Sequence, residues 1–194
     1  MTLLGGYMTT FSGKHFYPLS PDKSMFHLED MARGLSHENR ACGQTTLPMT
    51  VAQHSVNVAR ILRKLGYSTR IQFIGLNHDD SEAYIKDIPS PLKEWLPDYK
   101  KVEEEVQRVA YEWAGLGIVT EEEYAPVHMV DKMVFPVEAK FFMPQARHEI
   151  DPRLADMVIE PWSPSKAREV FKREFLFLEG RLRRGKQFTP SSNR

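Results

Sequence analysis

The sequence predicts an all-α helical bundle carrying a small N-terminal β-hairpin, and three observations lead there. Apolar residues step by three and four through six separate stretches, so each set shares one helix face. Glycines and prolines punctuate the gaps between those stretches. One segment near the start, YMTTFSGKHFY, instead places β-prone residues on both sides of Ser12-Gly13. A length of 194 residues fits a single domain, taken as 1–194, with enough chain to bury a sizeable core.

The hairpin covers residues 7–17 and is closed by Pro18 and Pro21. Residues 26–35 follow as a short helix with Leu28, Met31, Ala32 and Leu35 on one side. Periodicity vanishes through SHENRACGQTTLP. The clearest helix comes next, opened by a Thr50–Gln53 capping box and stopped by Gly66. Its stripe is Val51, His54, Val58, Ile61 and Leu65. A second strongly periodic helix is predicted from Thr69 to Lys86, ended by Pro89 and Pro91, with Ile71, Ile74, His78, Glu82 and Ile85 in step. Residues 98–113 carry Val102, Val106, Val109 and Trp113, and Gly115 and Gly117 end that helix. Another begins near Pro126 with Val127, Asp131, Val134, Glu138 and Phe141 on one face, kinked at Pro136. Ser163-Pro164 opens the last helix, which turns Ala167, Phe171, Phe175, Leu178 and Leu182 inward before a solvated RLRRGKQ end.

Composition removes several classes of function. Lys and Arg together number 26 and Asp and Glu 26, so the formal charge is zero, which excludes a strongly basic nucleic-acid coat. Cys42 is the single cysteine, which excludes a disulfide scaffold and a thiolate zinc finger. No apolar run approaches the roughly 18 residues of a membrane span. MTLLGGYM lacks the basic and apolar regions of a secretory signal, so the expected location is the cytoplasm.

Three of the predicted helices put ionisable groups on faces that should point inward. These are His54, then His78 with Glu82, then Asp131, and a buried unpaired charge is costly enough to demand a partner. Asp79 points about 100° around the helix from His78, still within reach of a shared ligand. Two imidazoles and two carboxylates make a ligand set for Zn²⁺, Mn²⁺, Co²⁺, Fe²⁺ or Mg²⁺. Four such groups leave coordination positions for water and substrate, which suits hydrolysis. A hydrogen-bonded core histidine is the bland alternative for each, and the coincidence on three helices weighs against it.

The order His54, His78-Asp79, Asp131 resembles the HD-domain phosphohydrolases, all-helical metal enzymes that cleave phosphate esters. NHDDSEAYIKDIPSPLK is similar to the HD-x-x-E-x-x-x-x-D-[IL]-P-x-P-[LV]-K run of the 5′-deoxynucleotidase branch, which includes viral dATP triphosphohydrolases. SGKHFYPLSP, MARGLSHENR, SVNVAR, VDKMVFPVEAKFFMP and PWSPSKAREVF extend the likeness over about residues 12 to 180. It implies metal ligation by His54, His78, Asp79 and Asp131. Glu82 matches the acidic residue that orients or deprotonates the attacking water, and Asp87 a second acidic residue used in the chemistry. Arg40 and Lys93 match cations that contact substrate phosphate.

The resemblance also implies one divalent transition metal ion (Zn, Co, Mn or Fe), with additional Mg or Co accompanying the phosphates. The expected partner is a small-molecule (deoxy)nucleotide, not nucleic acid or a membrane, and relatives form homo-oligomers. Either a dNMP yields nucleoside and phosphate, or a dNTP such as dATP yields deoxynucleoside and triphosphate. Local alternatives stay open at this point: Glu82 pairing with Lys86, Asp87 capping a turn before Pro89, Arg40 and Lys93 as surface cations. Ala41 and Cys42 follow Arg40 where relatives often carry an aromatic residue that helps discriminate the sugar. Asp80 adds a carboxylate on a solvated helix face or for a second cation, and Glu138, not read as catalytic, either supports the site from behind or pairs in the neighbourhood of Lys140. Two rival functions remain: a noncatalytic nucleotide-binding regulatory HD module, and a helical nucleic-acid-binding domain, which the zero net charge disfavours.

Overall fold

Helices do carry the chain, and the exception is where the sequence predicts it. The computed structural model describes residues 5–143 and 145–187. Strands β1 (Met8–Thr9) and β2 (His15–Phe16) pair antiparallel, Met8 opposite Phe16 and Thr9 opposite His15. Gly13 makes the reversal at φ +83°, a conformation that costs glycine nothing. The hairpin is latched to α1 (Leu28–His37) by the buried Asp30 carboxylate. That group accepts from the Thr10 hydroxyl (2.9 Å), the Ser12 backbone N–H (2.6 Å) and the Ser12 hydroxyl (2.6 Å).

Helix α2 (Val51–Lys64) is the axis of the bundle, and every residue from Val51 to Ala59 is buried. It packs against α1, α3 (Thr69–Leu76), α7 (Glu121–Phe142) and α8 (Pro164–Gln187). Thr50 caps it by accepting from the Gln53 N–H at 3.2 Å. The predicted capping box closes only halfway. The Gln53 carboxamide turns away and binds the Glu160 carbonyl (2.7 Å) and the Trp162 N–H (3.0 Å), fastening the approach to α8. Gly66 ends the helix at φ +83° as expected.

The predicted helix from Thr69 to Lys86 is two pieces, and this is the main correction to the sequence reading. α3 stops at Leu76, where the Asn77 side chain donates to the Phe73 carbonyl at 2.7 Å alongside the Asn77 N–H at 3.2 Å. Residues 77–81 form a turn, and α4 (Glu82–Ile85) is a single helical turn. Lys86 follows at φ +83°, ψ 149°, a conformation that costs a non-glycine residue ~1–3 kcal/mol. The Tyr99 hydroxyl donates to the Lys86 carbonyl at 2.6 Å and helps hold it there.

The unpredicted α5 (Ser90–Lys93) forms at the PSP sequence, and α6 (Pro97–Trp113) matches the expected 98–113. α7 starts at Glu121, five residues before the predicted Pro126, because Thr120 and Glu123 form a complete capping box. It continues past Pro136, the site of the expected kink, as one helix, and α8 stays helical to Gln187. The apolar stripes meet in one contiguous core, in which Phe16, Leu35, Val58, Phe73, Val134 and Phe171 are wholly buried. Among the described residues, no helix is long and apolar enough to cross a membrane.

Candidate metal centre

Where α2, the turn after α3 and α7 converge, ligand atoms of His54, His78 and Asp131 lie within 4.8 Å of one another. This group could bind a metal ion. His54 is wholly buried on the axial helix and faces α7. Its Nδ1–H donates to the Glu138 carboxylate at 2.9 Å, and the Asn57 amide donates to the other oxygen of that carboxylate at 3.0 Å. His78 sits in the turn, and its Nδ1–H donates to the Gly75 carbonyl at 2.9 Å. With Nδ1 committed as the donor, the neutral form of each ring presents an Nε2 lone pair to the site. Neither Nε2 has a hydrogen-bond partner, although both are buried.

A buried imidazole nitrogen of this kind is costly unless a ligand satisfies it. Asp131 Oδ1 lies 3.0 Å from His54 Nε2. Asp79 Oδ2 lies 3.3 Å from His78 Nε2 and 3.8 Å from His54 Nε2. Asp79 therefore adjoins the three-residue group rather than completing it, with its Oδ2 also 3.3 Å from Arg40 Nη1. The donor set of imidazole nitrogens and carboxylates, each imidazole oriented from behind by an acceptor on its Nδ1–H, fits a divalent cation.

Electrostatics point the same way. Burial and Arg40 both oppose protonation of His54, yet Glu138 and Asp131 outweigh them and lift it to about 9. Burial works against the Asp131 charge, but His54, His78 and Arg40 hold its carboxyl well below the ordinary range. Burial likewise opposes the Arg40 charge, and Asp79, Glu138, Asp131 and Glu82 together keep it firmly cationic. The pocket thus concentrates negative charge and draws positive charge onto whatever can carry it.

Arg40 reaches the site through an unusual backbone. Its N–H donates to the Met49 carbonyl at 2.9 Å, next to a bridge pairing Asn39 with Thr50. Ala41, Cys42 and Gly43 then all take positive φ, at 53°, 51° and 70°, a left-handed run that is rare for non-glycine residues. Arg40 Nη2 lies 3.8 Å from Asp131, so this side chain spans both aspartates.

The acidic residues of the 77–93 run also gather here. Glu82 is buried with one carboxylate oxygen unpartnered. Burial, then Asp79 and Asp87, push its carboxyl well above the usual range, while Arg40 and Lys93 pull the other way. Burial raises Asp87 as well, against the pull of Arg40. The alternative partner for Glu82 is not used, since Lys86 extends to Glu38 at 2.7 Å. Lys93 donates to Glu103 at 2.6 Å, so it stands near the acidic group but is engaged by α6. Asp80 is not on a solvated face: it is wholly buried with neither oxygen partnered, and burial followed by Asp79 pushes it well above the ordinary range.

Asn57 and Gln107 escape the sequence reading. Asn57 lies three residues after His54 on the same helix, and that spacing was the available signal. Gln107 carries none, because it acts on backbone of a turn that the periodicity reads as helix.

Fold and site together define a helical protein with a candidate metal centre between its axial helix and a broken one. The chain is 37% identical over 134 residues to the uncharacterized protein YfdR of Escherichia coli (strain K12), covering 69% of this chain and 71% of that protein. It belongs to the YfdR family. No family model matches the chain.

Proposed function

We propose that this chain is a metal-dependent phosphohydrolase of the HD type, acting on (deoxy)nucleotides. The observation that carries the reading is the pair of buried imidazoles, each tied at Nδ1 and each with an unpartnered Nε2 beside Asp131. His54, His78 and Asp131, joined by Asp79, would hold one divalent transition ion such as Zn, Co, Mn or Fe. Such an ion supplies Lewis acidity and lowers the pKa of a coordinated water.

The remaining chemistry belongs to the side chains around it. Glu82, with its raised carboxyl, is a better proton acceptor than an exposed glutamate and can take the proton of an attacking water. Asp87 raises the affinity of Glu82 for that proton through its own charge. Arg40 offers a planar donor pair to phosphate oxygens, and Lys93 adds a point charge once released from Glu103. Phosphoryl transfer spreads negative charge over peripheral oxygens, so donors placed there lower its barrier.

The test is product analysis by chromatography over dNMPs and dNTPs with Co²⁺, Mn²⁺, Mg²⁺ or Zn²⁺, with and without chelator. Turnover that the chelator abolishes is the expected outcome, and the product, phosphate or triphosphate, fixes the substrate class. Tight nucleotide binding without turnover would replace the enzyme by a regulatory module. Salt-sensitive oligonucleotide binding would replace both.

A further inference from the structure

The turn that carries His78 and Asp79 is held from within by short-range bonds alone, Asp80 N–H to the Asn77 carbonyl (3.4 Å) and Glu82 N–H to the Asp79 carbonyl (3.0 Å). Between the end of α3 at Leu76 and the start of α4 at Glu82 the backbone must find other partners for its polar groups. Two of those partners come from one side chain on a different helix. Gln107, half-buried on α6, donates from Nε2 to the Asn77 carbonyl at 2.7 Å. Its Oε1 accepts the Ser81 N–H at 3.0 Å. Asn77 and Ser81 are the residues immediately before and after His78-Asp79-Asp80. One planar carboxamide thus bridges the two ends of the ligand-bearing turn.

We infer that Gln107 is a positioning residue that fixes the mouth of this turn and so the placement of His78 and Asp79 toward the metal. The inference rests on the metal reading above. The strength of the device comes from its geometry. A carboxamide is a rigid donor–acceptor pair, so satisfying both ends sets the Asn77–Ser81 separation. The other hydrogen bond across the turn's entry, from the Asp80 N–H to the Asn77 carbonyl, is long at 3.4 Å. Without Gln107, the His78 ring would still bond Gly75, but the chain carrying Asp79 would lose its outer brace.

The experiment uses Gln107→Met, which keeps the side chain's length and removes both hydrogen bonds, with Arg108→Ala as a control. Arg108 pairs with Glu105 and Glu112 on the exposed face of the same helix. Co²⁺ is titrated into the metal-free full chain and its visible absorption recorded, alongside thermal melts. Outer-shell changes typically cost about 10–100-fold in metal affinity, and that loss with an altered Co²⁺ spectrum is expected for Gln107→Met alone. A folded Gln107→Met protein with wild-type Co²⁺ affinity and spectrum would overturn the positioning role while leaving the metal centre intact. Failure of the wild type to bind Co²⁺ would overturn the metal reading and this inference with it. Hydrogen exchange on the wild type gives a measurement independent of the variant's folding. The Ser81 amide should be protected, and free-loop exchange at that position would contradict the brace.

Discussion

The two histidines are supported in opposite ways. His54 stands on a continuous, wholly buried stretch of α2, and side chains orient it: Glu138 on its Nδ1–H, with Asn57 holding Glu138. His78 stands in an irregular turn, and its supports are backbone groups, the Gly75 carbonyl on the ring and the Asn77 and Ser81 main chain held by Gln107. The first half spends regular structure to place ligands and polar side chains to aim them. The second gives up regular structure so that consecutive residues, His78 and Asp79, reach one place that a straight helix would send about 100° apart. Rigid scaffold and shaped loop meet at the same spot.

The sharpest way to break that comparison is to remove one ligand from each half. His78→Ala and Asp131→Ala should each abolish Co²⁺ uptake and all metal-dependent turnover, and the same loss on both sides is the expected readout of a titration and an activity assay. Glu82→Gln separates chemistry from binding. It should keep Co²⁺ affinity but lose about 10²–10⁴-fold in turnover, and full activity would remove Glu82 from the role of proton acceptor.

Glu138→Gln probes the side-chain support alone, with about 10–100-fold weaker Co²⁺ binding expected by titration. In the wild type, His54 at about 9 must lose its proton to bind an ion. Co²⁺ affinity should therefore climb about tenfold per pH unit through neutrality and level off above 9, with proton release on binding measurable in weak buffer.

The smallest effects test the joints. A methyl on Gly34 would fall on the backbone carbonyl oxygen of Ala83 in α4, which cannot move without shifting the Glu82 turn. A methyl on Gly75 meets the end of the Leu62 side chain, which can rotate away, and makes a 3.2 Å contact with Val58. Gly34→Ala should thus cost at the upper end of about 1–3 kcal/mol in denaturant unfolding and Gly75→Ala at the lower end. The reverse ranking would mean that the irregular half is the more compliant one.

The same contrast explains what the amino-acid pattern alone reveals. The helices that hold His54 and Asp131 announce themselves by stripes such as Val51, Val58 and Ile61, because packing against a core repeats with the helical period. Thr50, Gly66 and the Ser12-Gly13 reversal are local chemistry and fall where expected. The break at Asn77 was not legible. Ile71, Ile74, His78, Glu82 and Ile85 keep helical spacing, and the Asn77 amide that folds back on the Phe73 carbonyl at the helix end leaves no mark in that pattern. The start of α7 was missed for the opposite reason, since Thr120 and Glu123 were a readable capping box overshadowed by Pro126. Within the site, ligand types and the acidic run were visible as residues. Their pairings were not: Lys86 with Glu38, Lys93 with Glu103, and Asp80 sealed from solvent all depend on tertiary approach.

The continuity of α7 has a consequence for how this gene can vary. Asp131 and Glu138 are separated by seven residues, close to two turns at 3.6 residues each. Deleting or adding a codon between them would swing one carboxylate about 100° off the His54 ring. Indels are therefore forbidden across that interval, whereas the segment before α8 is tied by particular contacts, Leu154 and Ile159 in the core and Glu160 and Trp162 on Gln53, and tolerates length changes only between those anchors.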